Sequence, residues 1–199
     1  MHSKRYPAAI AVVIAAHTLV ACAGNVITDD DAAPGKPPTG EAPSTTPRPG
    51  NANLVDAFDF YAQSDGRPGY LFTTPSGTWR CAIIPHDQAG CRSAKSAMSL
   101  GVKGAPQTVA DSAGAQVPPN AVVVESNGDA YFTKVDAGVF VRDSGPDQTL
   151  QFGQILAAAG FRCNVQDLGI SCMSETSKTG FTFSGDGFTP SYTDLPAAP

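Results

Sequence analysis

Short apolar runs follow one another along residues 69–184, and turn residues separate them. Runs rich in β-branched and aromatic residues, bounded by Gly, Pro, Asn or Asp, are typical of β-strands. Asn127-Gly128 lies between two such runs and predicts a tight hairpin. The pattern predicts strands at 69–74, 78–84, 121–126, 130–135, 138–142, 161–165, 169–174 and 179–184.

Two stretches show helical spacing instead. In 53–63 the apolar positions 54, 55, 58 and 61 favour a helix, although the alternation of Phe58 and Phe60 leaves a strand as the alternative. In 151–160, Ile155, Leu156 and Ala159 share one helical face, which predicts a short helix. The sequence therefore predicts a mostly β domain, a small sheet or sandwich, with one or two short helices.

Two segments of the chain are similar to each other. WRCAIIPHDQAGCRS at 79–93 parallels FRCNVQDLGISCMS at 161–174. Each has an aromatic residue, Arg and Cys, then a turn, and then Cys, one residue and Ser. Two copies are too few for a solenoid. The similarity is either two equivalent stapled hairpins in one domain or a coincidence.

The first 21 residues have the pattern of a secretory signal. Lys4 and Arg5 precede an apolar stretch at 8–20, which is shorter than the about 20 residues needed to span a bilayer. Leu19-Val-Ala-Cys22 resembles a bacterial lipobox. The resemblance implies cleavage before Cys22, a diacylglycerol on its sulfur and acylation, as with palmitate, of the new N-terminus. The alternatives are a buried helix or membrane anchor, and ordinary secretion with a chance cysteine.

Residues 22–52 are predicted to form a lipidated, disordered tether. They are rich in Pro, Gly, Thr and Ala and contain almost no large apolar side chain, so they cannot bury a core. The aspartates at 29–31 are interpreted as a solvated charge run rather than a cation site. Such a tether would hold a folded domain, predicted at 53–195, away from the membrane surface.

The charge of the chain makes nucleic acid an unexpected partner. The formal net charge is -5, and loss of Lys4 and Arg5 with the signal leaves eleven bases against eighteen acids, or -7. The remaining bases are scattered singly and form no basic run. No motif indicates a cofactor.

The cysteines predict a disulfide framework. With Cys22 assigned to the lipobox, Cys81, Cys91, Cys163 and Cys172 remain, and an even number outside the cytoplasm indicates disulfides. Four cysteines allow three pairings, and the repeated spacing favours 81 with 91 and 163 with 172. The rival interpretation is a four-thiolate zinc site, which prefers about two to four residues between paired cysteines rather than the nine and eight seen here.

Candidate catalytic chemistry is sparse. His86 is the only histidine after the signal, so any Ser-His-Asp or Cys-His mechanism must use it, and a site with several histidine ligands is excluded. It lies in Pro85-His86-Asp87, where an exposed turn residue is the expected role. No spacing singles out a carboxylate pair, and common hydrolase and phosphate-binding motifs are absent from the sequence. Neither catalytic nor metal-binding residues are predicted.

Seven short motifs in residues 70–192 resemble those of a known group. They are Thr74-Pro-Ser-Gly77, Cys81, Cys91, Leu150-Gln-Phe-Gly153, Phe161-Arg-Cys163, Ile170-Ser-Cys172 and Gly180-Phe-Thr-Phe183. The pattern resembles a family of small secreted proteins and lipoproteins of mycobacteria and related actinobacteria. Thr78 replaces the usual Asn after Pro-Ser-Gly, and Ser184-Gly-Asp-Gly-Phe188 replaces a charged ending. The motifs are structural, so the resemblance implies location and fold more than activity.

The leading hypothesis is a non-enzymatic lipoprotein anchored through Cys22 at the outer face of the cytoplasmic membrane. There it would bind an envelope component or assist another protein. The candidate binding surface consists of Tyr70, Phe72, Trp79 and Tyr131. The alternatives are a carrier of a lipid or other apolar ligand, and an envelope hydrolase that uses His86 or paired aspartates.

Overall fold

A computed structural model describes residues 50–196. Within this range one 3-10 turn, Ala57–Phe60, accompanies thirteen strands. No helix in the range is long and apolar enough to cross a membrane. The strands are β1 (Tyr61–Ser64), β2 (Arg67–Thr73), β3 (Trp79–Ile84), β4 (Gln88–Ser93), β5 (Val109–Ala110), β6 (Gln116–Val117), β7 (Ala121–Glu125), β8 (Ala130–Thr133), β9 (Ile155–Ala158), β10 (Phe161–Gln166), β11 (Gly169–Ser174), β12 (Gly180–Ser184) and β13 (Gly187–Thr189).

Two antiparallel sheets bury a common core. Their strand orders are β1-β2-β3-β4-β7-β8 and β13-β12-β11-β10-β9, and β5 pairs with β6 separately. Alternate side chains of both sheets point inward. Trp79 of the first sheet meets Phe183 of the second with ring centroids 4.9 Å apart, and Phe132 meets Phe188 at 4.6 Å. The predicted mostly β domain with a sandwich-like core is therefore confirmed.

The disulfides Cys81–Cys91 and Cys163–Cys172 are both present, as predicted. The two cysteines of each pair are directly opposite in register, on β3 and β4 and on β10 and β11. All four side chains are fully buried in the core between the sheets. Because the sulfurs bond to each other, they are not zinc ligands.

The repeated sequence forms two equivalent hairpins. Trp79 pairs with Ser93 as Phe161 pairs with Ser174, two positions from each disulfide. The Oγ of Ser93 accepts the N–H groups of residues 95 and 96, and the Oγ of Ser174 accepts those of residues 176 and 177. Each repeated serine therefore closes the turn that follows its hairpin.

The two hairpins point to opposite ends of the sandwich. Trp79, at the base of the first hairpin, lies beside the tip of the second at 165–170. At the other end, Ser126 N–H donates to the carbonyl of Asp87 at the first tip (3.1 Å), and Ser174 Oγ donates to Ser126 O (2.7 Å). Each end therefore combines one hairpin base with one hairpin tip.

The outer face of the first sheet carries a second, smaller core. Phe140 is 1 % exposed and packs there over Gly90, where a Cβ would lie 2.8 Å from its ring. Arg92 is also buried on this face and donates from Nη1 to the carbonyls of residues 136, 137 and 139. Desolvation first, and then the nearby charge of Arg80, lower the pKa of Arg92. Arg92 therefore connects the loop at 136–139 to the outer face of the first sheet by hydrogen bonds.

The outer face of the second sheet holds both ends of the described range. Asn164 Nδ2 donates to Tyr192 Oη and to Thr193 O, both at 2.9 Å. Arg162 Nη1 donates to the carbonyl of Gly50 (2.9 Å), whose N–H donates to Asp194 (2.7 Å). Polar side chains on this face therefore hold residues 192–194 and Gly50 against the sheet by hydrogen bonds.

The predicted helix at 151–160 is wrong. Ile155–Ala158 forms edge strand β9, and Phe161 pairs with Ala158 across a two-residue turn. Ala159 and Gly160 have φ values of 49° and 83°, as the favoured hairpin turns require. Ile155 and Leu156 are adjacent apolar residues because both faces of this strand are buried, and in the sequence this adjacency resembles one face of a helix.

Two other expectations need correction. The predicted strand at 138–142 is a series of turns, in which Phe140 has a φ of 63° and plugs the outer face of the first sheet. The predicted helix at 53–63 is reduced to the 3-10 turn, and the alternative of a strand holds for its end, β1. Asp56 caps the short turn by accepting the N–H of Phe58 (2.9 Å).

Candidate functional site

One surface cleft combines exposed aromatic area with converging polar groups. We call it the Trp79 cleft, and its volume is about 200 Å³. It lies at the end of the sandwich where the second hairpin has its tip. Its walls are formed by Thr74, Ser76, Trp79, Phe152, Val165, Gln166, Asp167, Gly169, Ile170 and Ser184.

The turn between β2 and β3 builds the first wall. Gly77 N–H donates to the carbonyl of Thr74 (2.9 Å), and Gly77 has a φ of 62°. The Oγ1 of Thr74 accepts the N–H of Trp79 (3.3 Å) and lies 3.2 Å from the Oγ of Ser76. Thr-Pro-Ser-Gly therefore fixes both the start of β3 and the position of the Trp79 ring.

The tip of the second hairpin builds the opposite wall. Val165 and Ile170 pair across it, and their side chains face the core beside Trp79. Gly169 has a φ of 141° and lies so close to the backbone of Phe183 that a Cβ would clash with it. Gly153 N–H donates to the carbonyl of Val165 (2.9 Å), which brings the neighbouring Phe152 to the rim.

Four distant parts of the sequence thus meet at this cleft. They are the segments around 74–79, 150–153, 165–170 and 183–184. The first two contain the Thr-Pro-Ser-Gly and Leu-Gln-Phe-Gly motifs of the sequence pattern, and the other two contain one end of a motif each, Ile170 and Phe183. Phe152 and Leu168 were not predicted as site residues, although Leu168 gave a signal: it is a large apolar residue between Asp167 and Gly169 in a two-residue turn.

A second, open cleft lies on the other side of the same hairpin tip. We call it the Asp186 cleft, and its volume is about 320 Å³. It shares Ser184 with the Trp79 cleft. Leu168, which is 82 % exposed, lines the Asp186 cleft, whereas its neighbours Asp167 and Gly169 line the Trp79 cleft. Its lining consists of Leu168, Thr182, Phe183, Ser184, Asp186, Gly187, Phe188 and Thr189.

The four aromatic residues predicted as a binding surface do not lie together. Phe72 is buried in the core, and Trp79 is 8 % exposed in the wall of its cleft. Tyr70 is half-buried and meets Tyr61 edge to face, with centroids 5.7 Å apart. Tyr131 pairs with Val123, whose side chain faces the outer cluster, so it projects from the opposite face of the first sheet. Only Trp79 contributes to the candidate site.

His86 lies at the exposed tip of the first hairpin with a φ of 61°. The neighbouring carboxylate of Asp87 is paired with Arg67 (2.6 Å). Within residues 50–196 no group of three or more His, Cys, Asp or Glu side chains is placed to hold a metal ion. Cys22, the predicted lipid attachment point, lies outside the described residues.

Comparison with known proteins identifies no relative. No protein-family model, no curated protein and no solved structure matches this chain. The mycobacterial-type lipoprotein family therefore stays a prediction from the sequence motifs. The function is argued below from the residues and their geometry.

Tyr131 is expected to make the free energy of unfolding depend on pH in the alkaline range. Partial burial of its hydroxyl, its hydrogen bond to Glu125 and the charge of that carboxylate raise the pKa of Tyr131 to about 12. Between the ordinary pKa of about 10 and this value, the unfolded chain loses the proton while the folded chain keeps it. We therefore expect the free energy of unfolding to fall as pH rises through this window, and less steeply in Tyr131→Phe.

Guanidinium unfolding, followed by the fluorescence of Trp79, tests this expectation on both proteins at several pH values above and below 10. Below the ordinary pKa of tyrosine the difference between wild type and Tyr131→Phe should not change with pH. Equal slopes for the two proteins above it would contradict the assignment.

Proposed function

We propose that this protein is a lipid-anchored, non-enzymatic binding module on the extracytoplasmic side of the cytoplasmic membrane. The observation that carries the proposal is the pair of cross-strand disulfides buried in the core. Disulfides persist in oxidising compartments and are rare in the cytosol. They fit the secretory signal and the Leu-Val-Ala-Cys sequence that ends at Cys22.

The chemistry of the Trp79 cleft favours binding over catalysis. Its polar lining consists of hydroxyls, the amide of Gln166 and one carboxylate, Asp167. Asp167 has no second titratable side chain beside it in the lining, so the cleft contains neither an acid–base pair nor a nucleophile with an adjacent base. An exposed Phe152 beside a nearly buried Trp79 instead gives apolar contact area of the kind that dominates binding energy at interfaces.

The space between the sheets gives no comparable support for a lipid carrier. In residues 50–196 the facing side chains of the two sheets meet directly, as Trp79 and Phe183 do. Both described clefts at the hairpin tip open to the surface and have volumes of about 200 and 320 Å³. The first volume lies below, and the second at the lower end of, the about 300–1,000 Å³ of ordinary ligand pockets, which also cover most of the ligand.

Lipidation is tested by expressing the full chain in a bacterium that processes lipoproteins and feeding it an alkyne analogue of palmitate. We expect the label on wild type in the membrane fraction, and no label on Cys22→Ser, because that substitution removes the thiol that accepts the diacylglycerol. Intact mass after alkylation should show an acylated N-terminus and no free thiol. Protease added to intact spheroplasts should digest the domain.

Two outcomes would contradict the anchor. Label on Cys22→Ser would place the lipid elsewhere, and an unlabelled wild type in the culture fluid would indicate ordinary secretion. Digestion only after the spheroplasts are lysed would contradict the extracytoplasmic location. A wild type with four alkylated cysteines would contradict the oxidising compartment.

A further inference from the structure

Two large apolar side chains are exposed near the tip of the second hairpin. Phe152 is 53 % exposed and lines the Trp79 cleft, and Leu168 is 82 % exposed and lines the Asp186 cleft. The residues on either side of Leu168, Asp167 and Gly169, line the Trp79 cleft, so the tip separates two clefts that share Ser184.

The charge of this surface has one sign. Asp167 and Asp186 are the titratable residues among the lining residues of the two clefts, one in each. Both are exposed, and within the described range neither forms a salt bridge. The backbone N–H of Lys103 donates to the carbonyl of Gly185 (3.0 Å), and Lys103 is not among the lining residues of either cleft.

We propose that the two clefts beside Leu168 bind an extended basic segment of another envelope protein. Two apolar side chains of that segment would enter the clefts, and flanking Lys or Arg would face Asp167 and Asp186. Charge complementarity favours such a partner over an anionic membrane or nucleic acid, which the same carboxylates repel. The assignment rests on the proposed function, since it names the partner class of that binding module.

Trp79 provides a direct readout because it is the only tryptophan of the chain and forms a wall of one cleft. The probe is acetyl-Lys-Phe-Gly-Ser-Gly-Phe-Lys-amide, and its counterparts carry Gln or Glu in place of Lys. Each is titrated into the full-length protein, extracted from membranes in a neutral detergent. We expect the basic peptide to change the Trp79 fluorescence saturably, and to bind about tenfold more tightly than the Gln peptide.

Three variants locate the effect. Asp167→Asn with Asp186→Asn should abolish the preference for the basic peptide and leave the weaker apolar binding. Leu168→Ser should weaken the basic and the neutral peptide alike, and its exposed position makes a folding defect unexpected. Asp129→Asn is the matched control, because Asp129 is an exposed carboxylate in the β7–β8 turn, at the opposite end of the sandwich. It should bind like wild type.

Equal affinity for the basic and neutral peptides, or no response to any peptide, would overturn the assignment. A larger response to phosphatidylglycerol vesicles than to the basic peptide would also overturn it and identify a membrane surface instead. Failure here is distinguishable from failure of the proposed function. A protein that is acylated at Cys22 and displayed outside the membrane, but whose Trp79 ignores the peptides, contradicts the partner class alone.

Discussion

Replacing Asn120 with aspartate is expected to lower the free energy of unfolding by about 3–5 kcal/mol at pH 7. Asn120 is 1 % exposed, and both polar atoms of its side chain form hydrogen bonds. Its Nδ2 donates to the carbonyls of Ala97 and Val135, both at 2.9 Å, and its Oδ1 accepts the N–H of Val135 (2.8 Å). The substitution keeps the shape but puts a carboxylate against two carbonyl oxygens.

The pH dependence of this loss has a defined sign. Burial and the two carbonyls raise the pKa of the introduced carboxyl above its unfolded value of about 3.9. Below that value both states hold the proton, and the neutral acid can still donate one hydrogen bond. As pH rises, the unfolded state ionises first, so the difference from wild type grows by up to about 1.4 kcal/mol per pH unit.

The measurement is guanidinium unfolding between about pH 3 and pH 8, followed by Trp79 fluorescence. Asn127→Asp is the matched control, because it makes the same chemical change at an exposed position in the β7–β8 turn. It should stay within about 0.5 kcal/mol of wild type. A loss for Asn120→Asp that is small, or that does not depend on pH, would show that the site is open to water.

The strands of the hairpins could be predicted because local chemistry decides them. Asn127-Gly128 supplies the turn between β7 and β8, and the repeated Arg-Cys and Cys-x-Ser segments have the same register in both hairpins. The pairing of the cysteines followed from that repetition. Such features depend on residues that are close together in the sequence, so a sequence pattern can predict them.

Two segments were predicted wrongly because tertiary packing overrides their local sequence pattern. Ile155 and Leu156 are buried on opposite faces of an edge strand, so their adjacency resembled a helical face. Phe140 fills a gap on the outer face of a sheet, where its left-handed backbone fits no strand. Both cases are decided by what packs against the segment, which the sequence does not specify locally.

The candidate site could be predicted from the sequence only in part, for a related reason. Trp79 was identified because aromatic residues in strands are candidates for binding, but the same criterion selected Phe72, which lies in the core. The cleft exists because the two hairpins point in opposite directions, which brings the Thr-Pro-Ser-Gly turn to the tip that carries Leu168. Their relative direction is set by the packing of the sheets, not by either hairpin.

Loss of both disulfides is expected to lower the free energy of unfolding by about 4–6 kcal/mol. Each closes a loop of 10 or 9 residues, which the chain-entropy model values at about 2–3 kcal/mol. Total stabilities of single domains are about 5–15 kcal/mol, so a variant with all four cysteines replaced by alanine should be close to unfolding. The pairs Cys81→Ala/Cys91→Ala and Cys163→Ala/Cys172→Ala should each lose about half of the total.

The two pairs share one core, so the coupling between them is measured as the difference between the loss in the four-alanine variant and the sum of the two pair losses. Because all four side chains are fully buried, a reducing agent should reach the sulfurs only when the domain opens. Alkylation of the reduced protein should therefore follow the unfolding rate, and it should accelerate in Asn120→Asp if the reducible state is the globally unfolded one. Rapid reduction of both pairs in the native wild type, or a four-alanine variant as stable as wild type, would contradict the account of two hairpins stapled inside a common core.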